Sequence, residues 1–582
     1  MSSEIAEDLS RQTSELLSRF ESRVSSFSSR KDLAMLTVPA DPEGGAALAR
    51  ELFGEGEHVA TGVDGSMDFD ERLQMMLFYA NATAYSCPFH VGSRVEFDLA
   101  SAHREGKLAA SAAVPLWAED LSSIFADEPE IDLELEHSME KIPNSFMTLA
   151  ELYLAYKACD GAKVLFLDRP MSGTFSALSR DARLLLKVGG SKLGRWAKGD
   201  GPSALDLELA IRLGFPSVAV PTRPRYLHLA VLKELLAGPA SAVELARRLG
   251  SGEPAVRRAF RQVAKMDERL GHELLVDSSE DRLALSERAA GYWGRVMSFS
   301  LGYAEEVFSR RRHPLAVGGE EYLTILDVNS VALFMLEAVC QRAGETGTLV
   351  VGIAKDTTAT DVSRAVLPYA SSAGFVKLAA PAPRLKSDRA FLAILSSENP
   401  SVETPWRTLG YDSAFSTIVE AGGRLRSARK VVSREQLFVR SYFQLRSLRG
   451  DPSVRSQVFL FDRAFDRARD AGGVRRVKVE ERRGETEVLG YFEGGDGSPL
   501  SNLVLHILSM ADNPEVFEAY GHNQLLYLAD KAVKAEVRML RSSLRGVADL
   551  RVGGVSSRRK IFGLVTPYRQ QRAEAEHART RR

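Results

Sequence analysis

Five side chains, scattered along the sequence, are of the types that hold hard cations and handle protons. Asp64 follows the apolar run Val59-Ala60-Thr61-Gly62-Val63 and precedes Gly65-Ser66, which reads as a short strand delivering a carboxylate onto a tight turn. Asp168 closes a second run, Val164-Leu165-Phe166-Leu167, and Glu151 stands seventeen residues before it on a segment with helical spacing. Far downstream, His522 and Asp530 flank Leu525-Leu526-Tyr527-Leu528-Ala529. Oxygen ligands suit magnesium or manganese. Two such cations stabilise the attacking and leaving oxygens of a phosphodiester and make hydroxide available near neutral pH. Each acid alone says little, because Asp is common wherever strands turn. Only the set, in this order, points to phosphodiester hydrolysis.

The elements that must position these groups read as an α/β pattern. Residues 57–66 give the opening strand, and Leu73–Cys87 gives an apolar partner strand with Asp64 at the mouth of the pair. Phe146–Ala158 is a helix capped by Asn144 or Ser145, with Leu149, Tyr153 and Tyr156 on one stripe and Glu151 off it. Ala162–Asp168 and Thr348–Lys355 are buried strands, the second ending in a lysine; Phe391–Leu395 and Gln457–Phe461 read as further strands. Leu503–Met510 is a helix, and an amphipathic helix through Arg538 puts His522 and Asp530 toward one side. Residues 1–31 carry Leu9, Leu16, Leu17 and Phe20 at helical spacing, for packing on the body or on a partner.

Charge is segregated. The net charge is −1, so nucleic-acid binding depends on local patches. Residues 119–140 are strongly acidic and read as a solvated face. Between Arg424 and Arg463 arginines alternate with Phe438, Tyr442, Phe443, Phe459 and Phe461. Such a tract is either a strand-binding channel, with guanidiniums on phosphates and rings on bases, or solvated arginines over core aromatics. The chain after Ser556 is basic.

Residues 222–292 look like a separate module. The apolar helix Tyr226–Leu236, a second helix over Ser241–Leu249, a third over Glu253–Leu270 and a hairpin over Glu273–Leu285 follow a winged helix-turn-helix pattern. The third helix carries Arg257, Arg258 and Arg261, which suit phosphates, although such modules also bind proteins.

The order and spacing of these motifs resemble the NurA nucleases. Val63-Asp64-Gly65-Ser66 is similar to the family's opening Asp-Gly-Ser motif, and Glu151 stands where the family carries a helical glutamate. Leu165-Phe166-Leu167-Asp168-Arg169 resembles its second strand-end aspartate, with Arg169 where Gly is frequent. The segment from Gly521 to Asp530 is similar to the family's late element, with His522 in place of a tyrosine and two prolines missing. Val351-Gly352-Ile353-Ala354-Lys355 looks like its Gly-x-Ser-Lys segment.

The resemblance implies a ribonuclease H-like mixed-sheet core, interrupted by the winged-helix module. It implies metal binding by Asp64, Glu151, Asp168 and Asp530, with His522 donating a proton or contacting phosphate. Lys355 would steady the scissile phosphate, or merely end its strand. A two-metal manganese or magnesium site, 5′-to-3′ exonuclease and single-strand endonuclease activity, a homodimer, and docking on a HerA-type hexameric translocase at DNA ends complete the implied picture. The alternative is a non-catalytic DNA-binding regulator or translocase adaptor built around the winged helix.

With 582 residues the chain accommodates several domains: a helical segment over 1–56, a core in two parts over 57–221 and 293–550, the module at 222–292 between them, and a basic tail over 551–582. Cys87, Cys159 and Cys340 form neither a CxxC pair nor a Cys/His cluster, which argues against zinc and a disulfide framework. The amino-terminal residues lack a secretory pattern, and no apolar run approaches the ~18 residues of a membrane span. A cytoplasmic protein is expected.

Overall fold

A computed structural model describes residues 2–556 except 73–74, 118–140, 188–189, 200, 280, 310–312, 319–320, 380–381, 384, 413, 416–417, 428–436, 447–453, 482–483, 495–496, 514–515 and 517–519. The chain opens with helix α1 (Ser2–Ser25), which leaves Leu9, Leu16, Leu17 and Phe20 exposed; Phe27 and Leu33, just after it, are buried in the body. Helix α2 (Pro42–Phe53) leads into a long antiparallel hairpin of β1 (Gly56–Arg72) and β2 (Met75–Val91), extended by β3 (His103–Trp117). Helix α3 (Lys141–Ala158), strand β4 (Val164–Leu167) and helices α4 (Met171–Leu185) and α5 (Ala204–Leu213) follow.

Next come helices α6 (Leu227–Leu235), α7 (Ala242–Arg248) and α8 (Glu253–Leu270), then the hairpin β5 (Leu275–Ser279) and β6 (Arg282–Leu285). The hairpin forms a three-stranded sheet with Ala240–Ser241. Leu227, Val231, Leu245, Val256 and Ala259 give this unit a small core of its own. A bidentate bond from Arg269 to Glu208 ties it to α5. Helices α9 (Tyr292–Ser309) and α10 (Ile325–Thr346) return the chain to strand β7 (Leu349–Ala354). The remaining central strands are β8 (Phe438–Gln444) and β9 (Phe459–Ala464), and helices α11 (Pro499–Met510) and α12 (Gln524–Ser556) end the described chain.

The main sheet is mixed and eleven-stranded, with β8-β9-β7-β4-β1-β2 at its centre. Strands β1, β4 and β7 are parallel, and β2 and β9 flank them antiparallel. Every residue of β4 is buried, as expected of a parallel strand covered on both faces. Helices α3, α4 and α10 pack on one face, and α2, α11 and the start of α12 on the other.

Three expectations change. Asp64 lies on no turn: β1 runs straight through it, and Asp64 pairs with Thr83 midway along the hairpin. Gly65 serves a close approach instead, since a Cβ there would lie 2.5 Å from Glu151 Oε1. Phe391–Leu395 is part of a helix, Asp388–Glu398, because Ser387 caps it through the Ala390 amide and Phe391, Leu392 and Leu395 share its buried side. Helix α3 already includes Lys141, so Asn144 and Ser145 lie inside it, and Ser145 Oγ donates back to the Lys141 carbonyl. That helix is buried on nearly every side, Glu151 included, rather than along one stripe.

The arginine–aromatic tract is also not a channel where it is described. Phe438, Tyr442, Phe443, Phe459 and Phe461 fill the core. Arg440 and Arg463 are buried in ion pairs with Asp361 and Asp470, and Arg424 and Arg426 pair with Glu480. Arg429, Lys430, Arg434 and Arg449 lie outside the described residues, as do the acidic stretch 119–140 and the tail from 557 onward. No helix among the described residues is long and apolar enough to cross a membrane.

Candidate active site

Strand register alone brings two acids together. Val63 is paired with Leu167 and Leu167 with Gly352, so Asp64 and Asp168 leave the sheet side by side, with Lys355 just beyond β7. Carboxyl ends of parallel strands are where open α/β sheets place their ligands. Asp168 accepts a hydrogen bond from Lys355 Nζ at 2.6 Å on one oxygen and from His522 Nε2 at 3.0 Å on the other. Burial alone would raise the Asp168 carboxyl, but the hydrogen bond and charge of His522, together with Lys355, hold it at about 2.

Asp64 has the opposite fate. It is 4% exposed, and burial, then repulsion from Asp168 and Glu151, push its carboxyl up to about 9. Its Oδ1 takes the Gly65 amide at 2.7 Å. Its Oδ2 is buried with no hydrogen-bond partner among the described residues. A buried acceptor left unmatched costs ~1–3 kcal/mol. That is the state of an oxygen shaped to face a cation.

Helix α12 supplies the third acid. Asp530 is half-buried, and among the described residues it pairs with Lys534 alone, one turn on, at 2.7 Å. One carboxylate oxygen each from Asp64, Asp168 and Asp530 lie within 4.8 Å of one another, close enough to share a divalent ion. Asp530 arrives there because α12 crosses β1 at Gly62, where a Cβ would come within 2.8 Å of Leu525. His522 is not on that helix. Asn523, at φ +89°, caps it by accepting the Leu525 amide at 2.9 Å, and the Gly521 amide is held by Asp512 at 2.8 Å. The cap, not helical periodicity, aims His522 at Asp168.

Glu151 reaches the same place from α3 but stays outside the three-acid group. Its carboxylate is bound by the Arg169 guanidinium, which also donates to Thr148 Oγ1 at 3.0 Å. Burial raises the Glu151 carboxyl and Arg169 opposes that rise.

Sequence reading missed the groups that fix this corner. Asp462, on β9, accepts the Met171 and Ser172 amides at 2.9 and 2.8 Å, capping α4 and locking the chain directly after Asp168. Arg440 donates to Ser172 Oγ at 2.7 Å and pairs with Asp361. Gly352 is needed because a Cβ there would collide with Asp462 and the Arg169 carbonyl. Nothing local in the sequence marks these residues, since a strand aspartate gains this role only from the helix docked beside it.

A cavity of about 620 Å³ opens beside the cluster, lined by Asp168, Arg169, Thr174, Lys355, Thr357 and Arg440 among others. Arg257, Arg258 and Arg261 are elsewhere, on the exposed side of α8, with Arg257 paired to Glu253 at 2.7 Å. Among the described residues no hydrogen bond or ion pair joins them to the acids.

No protein-family model matches the chain, and no curated protein does. Among solved structures, it is similar to a crystal structure of NurA with manganese, at 11% identity and a TM-score of 0.36 over 93% of this chain and 98% of that one. It is similar to the NurA nuclease from Sulfolobus solfataricus at 10% identity and a TM-score of 0.34, over 85% of each chain. A third likeness, to NurA bound to dAMP and manganese, has 12% identity and a TM-score of 0.28 over 82% of this chain and 85% of that one. The chain is thus similar to NurA structures over most of its length, at identities and TM-scores too low to carry any residue's role across.

Proposed function

We propose that this chain is a divalent-metal-dependent deoxyribonuclease. The observation that carries the reading is the group of buried Asp64 with half-buried Asp168 and Asp530, with Asp64 Oδ2 left without a partner among the described residues. Acids crowded together against their own repulsion mark functional sites more than packing. Asp64, Asp168 and Asp530 would hold manganese or magnesium, with Glu151 contributing once Arg169 withdraws. The bound ions would polarise the scissile phosphate and lower the pKa of an attacking water.

The protein's own groups prepare the rest. Asp168 is kept ionised by Lys355 and His522, and so stands ready as an anionic ligand. Asp64 holds a proton near neutral pH without metal and must give it up to bind one. Lys355 and His522, both poised on Asp168, can turn toward a phosphate oxygen, and His522 Nε2 can donate a proton to a leaving alkoxide.

In the finer reading, three parallel strands, one of them in an antiparallel hairpin, with Asp168 at a strand end and Asp64 on the neighbouring strand, support a ribonuclease H-like core. The order of elements over 227–285 supports a winged-helix insertion that grips duplex DNA through Arg257, Arg258 and Arg261. The motif resemblance supports 5′-to-3′ exonuclease and single-strand endonuclease activity, a two-metal centre, a homodimer, and work in the cytoplasm with a HerA-type hexameric translocase on DNA ends.

A second reading draws on Arg169, whose guanidinium neutralises Glu151: a chain that binds DNA without cutting it. One assay separates the two. Wild-type protein with manganese should cut single-stranded DNA, and Asp64→Ala and Asp168→Ala should not. Equal cutting by both variants would exclude this site, and an inert wild type that still binds DNA would favour the regulator.

A further inference from the structure

A second, larger cavity lies behind Arg169. It measures about 1170 Å³, and its walls come from α3, α4, α5, α6 and α10, so both the sheet-packing helices and the module at 227–285 contribute to it. It shares Arg169 and Thr174 with the cavity beside the acid cluster. Its lining includes Arg169, Arg180, Arg183, Lys187, Arg212 and Arg225 against a single carboxylate, Asp181.

Some of these cations are accounted for. Arg169, Arg180 and Arg212 pair with Glu151, Asp181 and Glu208. Arg183 is different: it is half-buried, and no hydrogen bond or ion pair joins its side chain to a described residue. Burial holds its guanidinium below the ordinary value. Lys187 likewise has no acid partner among the described residues, and Arg225 only lies over the Tyr226 ring, at 5.8 Å. His228 adds a buried ring Nδ1 without a partner among the described residues, on the same wall. A half-buried guanidinium left unpaired in a predominantly cationic cavity is a site for an anion.

We infer that this cleft is a track for single-stranded nucleic acid, leading a phosphodiester chain along Arg183 and past Arg169 to the acids at Asp64 and Asp168. The cleft is larger than the ~300–1,000 Å³ of an ordinary small-molecule pocket, which suits several linked nucleotides better than one. A duplex carries its phosphates on the outside of a stiff rod and cannot reach a half-buried guanidinium between helices. A single strand can, and successive cations along such a groove are how these proteins follow a backbone. Arg169 sits on the divide between the two cavities, so an arriving phosphate would compete with Glu151 for its guanidinium. The inference rests on the nuclease reading for the direction of the track, but binding itself does not.

The test is therefore made without metal. Full-length protein in EDTA is titrated with labelled oligothymidylate across a salt series, alongside a duplex of equal length and a mononucleotide. Arg183→Gln and the exposed pair Arg180→Glu with Lys187→Glu are each expected to weaken the oligomer about tenfold. Each lost phosphate contact should flatten the salt slope by about 0.7. Thermal unfolding verifies folding, and if Arg183→Gln does not fold, the exposed pair decides alone. Unchanged oligomer affinity in the folded variants overturns the inference, as does a mononucleotide that binds as tightly as the oligomer, or a duplex that loses affinity by the same factor. A wild type that cuts with manganese while the variants bind normally removes the track and leaves the nuclease. A wild type that binds through Arg183 but never cuts removes the nuclease and leaves the track.

Discussion

Two regions of this molecule bury charge, and they do so in opposite ways. Arg463 and Asp470 are both fully buried, and each is satisfied: the guanidinium gives two bonds to the carboxylate, at 2.7 and 2.8 Å, and Ser498, Ser501 and the Asp466 amide take up what remains. Where Asp64, midway along β1, meets the end of β4 the sum does not close. Four carboxylates face Lys355, Arg169, His522 and Lys534, and Asp64 keeps one oxygen bare. A buried pair that completes itself holds the fold in register. A buried set that remains incomplete asks for a ligand.

The sharpest way to break this contrast is to remove an acid from each region. Asp64→Ala or Asp168→Ala should lower manganese-dependent cleavage more than ~100-fold, since the loss of even a group that supports a metal ligand costs ~10–100-fold. The fold should survive, as circular dichroism would verify. In the other region, Arg463→Ala should lower stability by ~3–5 kcal/mol, because Asp470 is left buried and unpaired. Arg463→Met with Asp470→Leu should cost much less than the single change; equal losses in chemical denaturation would mean that packing, not charge, sets the effect.

Proton linkage separates the regions next. The folded-state pKa of Asp64, about 9, lies above its ordinary 3.8, so between those values the folded state binds more protons than the unfolded one. Metal-free stability contributed by this group therefore falls as pH rises through that window. Asp64→Asn removes the slope, and should stabilise the metal-free protein at pH 8 by on the order of 1–4 kcal/mol, with little change at pH 4. Manganese should then stabilise the wild type and not the variant; a variant less stable than wild type at pH 8 would refute the assignment.

The smallest expected effect belongs to His522. His522→Asn should lower cleavage about tenfold, near the size of one supporting bond. It should also let the Asp168 carboxyl rise from about 2, moving the acid limb of the pH–rate profile upward. An unchanged acid limb would show that Lys355 alone holds that carboxylate.

Much of the site was readable before any tertiary information. Asp168 follows an unbroken apolar run, and such runs become parallel strands because both of their faces are covered. The helices of residues 227–270 announced themselves through their apolar residues and spacing, with the predicted Glu253–Leu270 observed as α8. What failed were short apolar stretches and glycines. Phe391–Leu395 fits a strand or a helix equally well until its cap is considered. Gly65 fits a turn or a close contact equally well until the helix behind it is placed.

The sequence by itself determined the kinds of groups and the strands that carry them, because both depend on neighbours in the chain. It determined that Glu151 would stand on a helix and Asp168 at the end of a buried strand. Only the tertiary structure decided which oxygens are paired. Register put Asp64 beside Asp168, the crossing of α12 at Gly62 brought in Asp530, and the docking of α4 on Asp462 placed Arg169 against Glu151. Hydrogen-bond completion is a property of atoms a few ångströms apart in space and hundreds of residues apart in the chain. Local spacing cannot encode it.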